Sequence, residues 1–198
     1  KKFYENSKDF GKKFLFVCSH SGYNAVHDLV EESFKGSKAV RHYEIFGGIS
    51  SVGEIKKMEE IVKNEKIDVV VGIGGGSAID TAKATAYYMK KRVAIIPTVC
   101  ATDAPCTGLS VIYNDDHSFN SYLFYPNNPD LVIVDSGVIA KSPAKFLVAG
   151  MGDALGTYFE ARACVKTSSK SLENGGITLS AMALCKLCYE TLIKDGKK

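Results

Sequence analysis

The sequence holds no apolar run approaching the length of a membrane span, no internal repeat and no low-complexity segment. The missing apolar run argues against a membrane protein. Charge of either sign is not in excess: 25 Lys and Arg stand against 22 Asp and Glu, a net charge of +3. The basic residues are scattered rather than gathered into a stripe, which argues against nucleic acid as a main partner. Six cysteines occur without the spacing of a small secreted domain, so reduced thiols are expected. The opening Lys1-Lys2-Phe3-Tyr4-Glu5 does not resemble a signal peptide, and a cytoplasmic location is the expectation. Cys185 and Cys188 form a C-x-x-C pair, but inside an apolar helical pattern with Leu184, Leu187 and Leu192. They are expected as buried small hydrophobes rather than metal ligands. Histidine is scarce: His20, His27, His42 and His117 are all there is, and each is expected on the surface or in a loop.

What is present is an ordinary globular composition, 45% hydrophobic and 24% charged over 198 residues. That length suits one full domain and the start of another. The stretch at 69–83, Val-Val-Val-Gly-Ile-Gly-Gly-Gly-Ser-Ala-Ile-Asp-Thr-Ala-Lys, stands out. A β-branched run from Ile67 to Val71 reads as a strand buried on both faces, followed by Gly72, Gly74, Gly75 and Gly76. A helix is expected from Ser77 to about Met89, with Ser77 as its cap and Asp80 completing an S-x-x-D capping box. Strand, glycine cluster and helix together suit a phosphate: glycine has no Cβ to obstruct close approach, and the first helical N–H groups lack internal partners. The same cluster can also serve only as a tight connection.

Around that stretch, strands are expected at 14–18, 40–46 and 93–96, with helices at 23–34 and from a Ser51 cap to about Glu65. The alternation predicts βαβ units, an α/β fold with a mainly parallel, Rossmann-like nucleotide-binding sheet. Ligands gather at the carboxyl ends of strands in such sheets, where the glycines lie. Leu109 to Tyr113 and Phe119 to Tyr125 flank Asn114-Asp115-Asp116-His117-Ser118, a hairpin pattern, and Leu131 to Val134 reads as another buried strand. Ser142-Pro143 predicts a helix start with Ser as cap and Pro at the first helical position. No strand is expected beyond it, so the chain divides into an α/β dinucleotide-binding domain at 1–141 and the start of an all-α domain at 142–198.

Several motifs in order carry a resemblance: Gly74-Gly75-Gly76 through Asp80, Thr81, Ala82 and Lys83; Pro97-Thr98; Thr102-Asp103-Ala104-Pro105; and Gly150-Met151-Gly152-Asp153-Ala154-Leu155 with Tyr158-Phe159-Glu160-Ala161. Together they resemble the metal-dependent, iron-containing alcohol dehydrogenase family, and within it the glycerol dehydrogenases. The resemblance implies NAD as cofactor, with its pyrophosphate over the glycine turn. It implies cofactor contacts at Gly74, Gly75, Gly76, Ser77, Asp80, Thr98, Ala101, Thr107, Leu109 and Tyr113. It implies a polyol substrate touching Asp103 and a divalent metal, Zn or Fe, held by Asp153. No residue of this chain is implied as a catalytic acid or base. Family members are longer, so the chain is expected to lack a first strand, most of the helical domain and two histidine metal ligands. A homo-oligomer is also implied, and the apolar helix at 179–192 is expected to self-associate for want of partners.

Each of these residues has a plainer reading. Asp80 can complement the helix terminus or pair with Lys83, one turn on. Thr98 can satisfy its own backbone, Asp103 can initiate an Asx turn before Pro105, Asp153 can be an ordinary helix carboxylate, and Tyr113 can pack on the sheet. Ser19 stands where the family often has an acidic residue that holds the adenosine ribose, which leaves NADP open beside NAD. Ser77 and Ala101 stand where the family's glycerol dehydrogenases commonly have Lys and Ser. Two rival functions remain at this point: a lyase resembling dehydroquinate synthase, which uses NAD only transiently, and a non-catalytic nucleotide-binding remnant.

Overall fold

The computed structural model describes residues 2–172 and 174–197. They divide into two compact units, the first holding the residues through Cys100 and Ala104–Ser142, the second Ala101–Asp103 and the residues from Pro143 on. Among the described residues, no helix is long and apolar enough to cross a membrane.

In the first unit the elements run α1 (Phe3–Ser7), β1 (Lys13–Cys18), α2 (His20–Ser33), β2 (Val40–Ile45), α3 (Val52–Glu65), β3 (Val69–Gly74), α4 (Gly76–Tyr88), β4 (Arg92–Pro97), β5 (Leu109–Tyr113), β6 (Phe119–Phe124), β7 (Leu131–Val132) and α5 (Ser136–Ile139). Five strands make one sheet in the order β2-β1-β3-β4-β7, every pairing parallel. Strand alternation splits the core into two layers. Phe14, Phe16, Cys18, Val69, Val71 and Ile73 face α1 and α2, meeting Phe3, Val26, Val30 and Phe34. Leu15, Val17 and Val70 face the other way, onto Met58 and Val62 of α3 and Ala78, Ala82 and Ala86 of α4. The alanines let α4 lie close against the sheet.

The chain leaves β1 toward β2 on one side, then passes over β1 through α3 to reach β3 on the other. The strand order therefore reverses between β1 and β3. Adjacent connections diverge at such a point and leave a crevice beyond the carboxyl ends of the strands.

The hairpin β5–β6 forms as a separate antiparallel pair, with a register shift between Ile112 and Tyr113. Several expected boundaries move. Ser51 caps α3 as expected, accepting from the Glu54 N–H. However, α2 begins at His20 with Ser19 as its cap, three residues before the expected start at 23. β7 is two half-buried residues at the sheet edge rather than a buried strand over 131–134. Helix α1 has no counterpart among the expected elements, nor has α5, which Asp135 caps by accepting from the N–H groups of Gly137 and Val138.

Cys18 illustrates how deep the first layer is. Burial pushes its thiol from 9.0 up to about 12. The folded state thus holds the proton more tightly, so stability present below pH 9.0 is lost as pH rises toward about 12. Wild type is expected to lose about 1.4 kcal/mol more than Cys18→Ala per pH unit in that window, measured by urea denaturation. Exposed Cys100 and Cys106 are expected to react with a thiol reagent in the native protein, with Cys18 reacting only on unfolding.

The second unit contains α6 (Ala144–Thr167) and α7 (Leu179–Asp195). Pro143, not Ser142, is the N-cap of α6; the Ser142 hydroxyl instead donates back to the Ile139 carbonyl. The helices meet through Tyr158 and Tyr189, stacked at 4.8 Å, with the Arg162 guanidinium 5.5 Å over Tyr158. Neither helix has a fully buried residue, and Leu179, Leu184, Leu187 and Ile193 stand exposed. Cys185 and Cys188 are half-buried rather than buried.

Candidate functional site

The reversal between β1 and β3 brings two parts of the chain into contact. Cys18 pairs with Ile73, and the Ser19 N–H donates to the Ile73 carbonyl at 2.9 Å. Ser19 therefore sits beside Gly74, the last residue of β3. Gly74 has φ +144°, a conformation that side chains rarely adopt, and a Cβ there would lie 2.6 Å from the Ser19 Oγ. Gly22, on the first turn of α2, meets the same spot: its Cβ would lie 2.7 Å from Ser19 Oγ and 3.0 Å from Gly74 Cα. Two glycines from different βα turns are thus required where the connections approach each other. The end of β4 contributes as well, since the Thr98 N–H donates to the Gly74 carbonyl at 3.1 Å and Thr98 is buried.

Gly72 and Gly74 are strand residues, so only Gly75 makes the turn and α4 begins at Gly76. Consequently Ser77 is not the cap. The N-cap is Gly75, and no side chain caps this helix. The strand runs so far into the glycine cluster that Ser77 already lies in the first helical turn. Gly75, Gly76 and Ser77 are half-buried at this uncapped end. Its first N–H groups, together with the partial positive charge of the helix terminus, suit an anion. The residues present fit the pyrophosphate of a dinucleotide.

Asp80 does not complete a capping box. It is 8% exposed; one carboxylate oxygen accepts from the Val111 N–H at 3.1 Å and the other lies 3.1 Å from the Lys83 Nζ. Burial pushes its carboxyl above the usual range, opposed chiefly by the Lys83 charge and then by the Val111 N–H. Lys83, 2% exposed at its side chain, also donates to the carbonyls of Ala104, Thr107 and Leu109. The sequence marks Lys83 only as a motif residue and a partner for Asp80. The structure makes it the post on which the loop and hairpin after β4 are hung. Its position three residues after Asp80, on a helix with no other charged residue, is the signal for this pairing in the sequence. Thr107, Leu109 and Tyr113 are set in place by this device and by the Tyr113 N–H, which donates to the Ser50 carbonyl.

Among the residues implied as cofactor contacts, Gly74, Gly75, Gly76, Ser77 and Thr98 come together around the turn, with Ser19 beside them. Asp80, Thr107, Leu109 and Tyr113 belong to the α4–hairpin junction. Ala101, Asp103 and Asp153 belong to the second unit. Asp103 is exposed in a loop, and Asp153 is exposed on α6, its carbonyl accepting from the Thr157 hydroxyl. Among the described residues, no three of His, Cys, Asp and Glu gather where a metal ion could be held. The four histidines are engaged elsewhere or exposed; His42, for instance, lies 2.8 Å from Glu65. The described residues alone do not fit a metal centre.

The sequence pattern of the iron-containing alcohol dehydrogenase family matches residues 1–136. The chain is 44% identical over 194 residues to a glycerol dehydrogenase of Escherichia coli O6:H1, covering 98% of this chain and 53% of that protein. It is 51% identical over 169 residues to a glycerol dehydrogenase of Thermotoga maritima, covering 85% and 46%. A crystal structure of a probable glycerol dehydrogenase from Sinorhizobium meliloti superposes with a TM-score of 0.87 at 34% identity, over 98% of this chain and 53% of that one. The chain spans about half the length of the curated relatives it matches.

Proposed function

The chain belongs to the iron-containing alcohol dehydrogenase family, and from that membership we propose that it carries the dinucleotide site of a polyol dehydrogenase. The reaction is hydride transfer from a secondary hydroxyl of glycerol or a related polyol to NAD. The observation that carries the reading is the uncapped glycine turn at the β1/β3 reversal, with Gly74 at φ +144° against Ser19. In this reading Gly75, Gly76 and Ser77 hold the pyrophosphate, Thr98 closes the turn from β4, and Leu109 and Tyr113 lie along the cofactor. The bound nicotinamide ring supplies the hydride acceptor. Asp103 orients the polyol hydroxyls, and Asp153 is the residue here that would serve as one ligand to a metal, Zn or Fe. The names of the relatives support the dehydrogenase over the lyase and the inert remnant. A homo-oligomer and a cytoplasmic setting complete the proposal.

The test is direct. The chain is expected to bind NAD saturably by calorimetry. The full-length protein is expected to reduce NAD with glycerol in the presence of Zn²⁺ or Fe²⁺. Activity on no short polyol with either cofactor would remove the proposal.

Ser19 adds a specificity prediction. No carboxylate stands at the end of β1 to repel a 2′-phosphate, so NADP is expected to bind as well as NAD. Aspartate caps helices as serine does, so Ser19→Asp should leave α2 intact. It is expected to weaken NADP binding by about tenfold or more, with NAD little changed, because like charges at close range cost 1 kcal/mol or more near a protein surface. Equal loss for both cofactors would place Ser19 away from the ribose.

A further inference from the structure

The opposite end of the sheet carries a second concavity, of about 430 Å³, that the proposed reaction does not use. It lies where α4 ends and β4 begins, on the amino side of the strands. Its wall includes Tyr87, Lys90, Lys91, Arg92, Tyr125 and Asp130. The volume falls within the range of small-ligand sites, ~300–1,000 Å³.

Three consecutive cations face one acid there. Asp130 is already committed, accepting from the Val93 N–H at 2.8 Å and pairing with Arg92 at 3.3 Å. Neither Lys90 nor Lys91 has an ion-pair partner among the described residues. Lys90 is held at φ +52°, where the chain leaves α4, so the two lysines project from a sharp turn rather than from a helical face. The pocket therefore keeps about two uncompensated positive charges in a chain whose whole net charge is +3. Beside them the rings of Tyr87 and Tyr125 lie 5.2 Å apart and tilted by 56°, forming an aromatic corner with a ring face on either side. Burial raises the Tyr125 phenol above its usual range, which keeps it neutral and adds no opposing charge.

We propose that this pocket binds a small organic phosphate, its phosphate on Lys90 and Lys91 and a planar group against Tyr87 and Tyr125. A dianion matches the two free ammonium groups, which act as point charges toward phosphate. The site is separate from the glycine turn and does not depend on the cofactor proposal.

Phenyl phosphate is the probe, titrated into the chain while backbone amide shifts are followed by NMR. Saturable shifts are expected at Lys90–Arg92 and along 125–130, and phenyl phosphate should bind several-fold tighter than inorganic phosphate. Lys90→Glu/Lys91→Glu is expected to abolish these shifts, leaving the melting temperature and any shifts at Gly74–Ser77 unchanged. Three results would overturn the proposal: shifts confined to the glycine turn, a titration unaffected by the double variant, or equal affinity for phenyl phosphate and inorganic phosphate.

Discussion

Gly74→Ala is expected to abolish NAD binding. A methyl group there meets Ser19 Oγ at 2.6 Å and Ala78 Cβ at 3.1 Å, and φ +144° is a conformation that alanine rarely adopts. Strain and overpacking each cost about 1–3 kcal/mol. The chain escapes by moving Ser19 or by flattening the turn. Either response displaces the N–H groups of Gly75 and Gly76 from the positions they would offer a pyrophosphate. Calorimetry should show the titration lost, with a lowered melting temperature as the second sign. Gly75→Ala is the informative control. Its Cβ meets only Val99 Cγ2 at 3.3 Å, and no positive φ is involved. That variant should fold nearly as well as wild type yet still bind NAD more weakly, because its methyl stands where the proposed site has the phosphate approach. Full affinity in Gly74→Ala would show that the turn does not cradle the cofactor.

Lys83→Met is expected to be the most destabilising single change away from the apolar core. It strands three backbone carbonyls and leaves Asp80 buried without its cation. Removing one partner of a buried ion pair typically costs about 3–5 kcal/mol, far more than an exposed pair. Urea denaturation should register that loss. Asp80→Asn keeps an acceptor for the Val111 N–H and removes the orphaned charge, so the double variant should be more stable than Lys83→Met alone. Strict additivity in that cycle would show that the two side chains do not act together. Because the same lysine holds the carbonyls of Thr107 and Leu109, amide exchange should also accelerate through β5 in Lys83→Met.

Local signals carried most of the fold. A compact apolar run marked β1, a β-branched run ended by glycines marked β3, and Ser51 followed by Glu54 marked the start of α3. Where boundaries moved, the cause was tertiary. Ser77 has the right neighbours for a cap, yet pairing with β1 and β4 carries β3 through Gly74, so the helix must start at once. The edge strand β7 keeps only two paired residues, Leu131 and Val132, against β4.

The candidate site divides along the same line. The sequence by itself determined the composition of the turn, the α/β class and the family motifs, because these depend on residue type and short spacing. Tertiary structure alone decided that Ser19 and Gly22 meet Gly74, since that contact depends on the strand order reversing between β1 and β3. It also decided that Asp80 faces Lys83 and the hairpin rather than the helix terminus. A buried carboxylate goes to whichever charge and N–H group the packing places within reach, and here those are Lys83 and, thirty-one residues further along the chain, Val111.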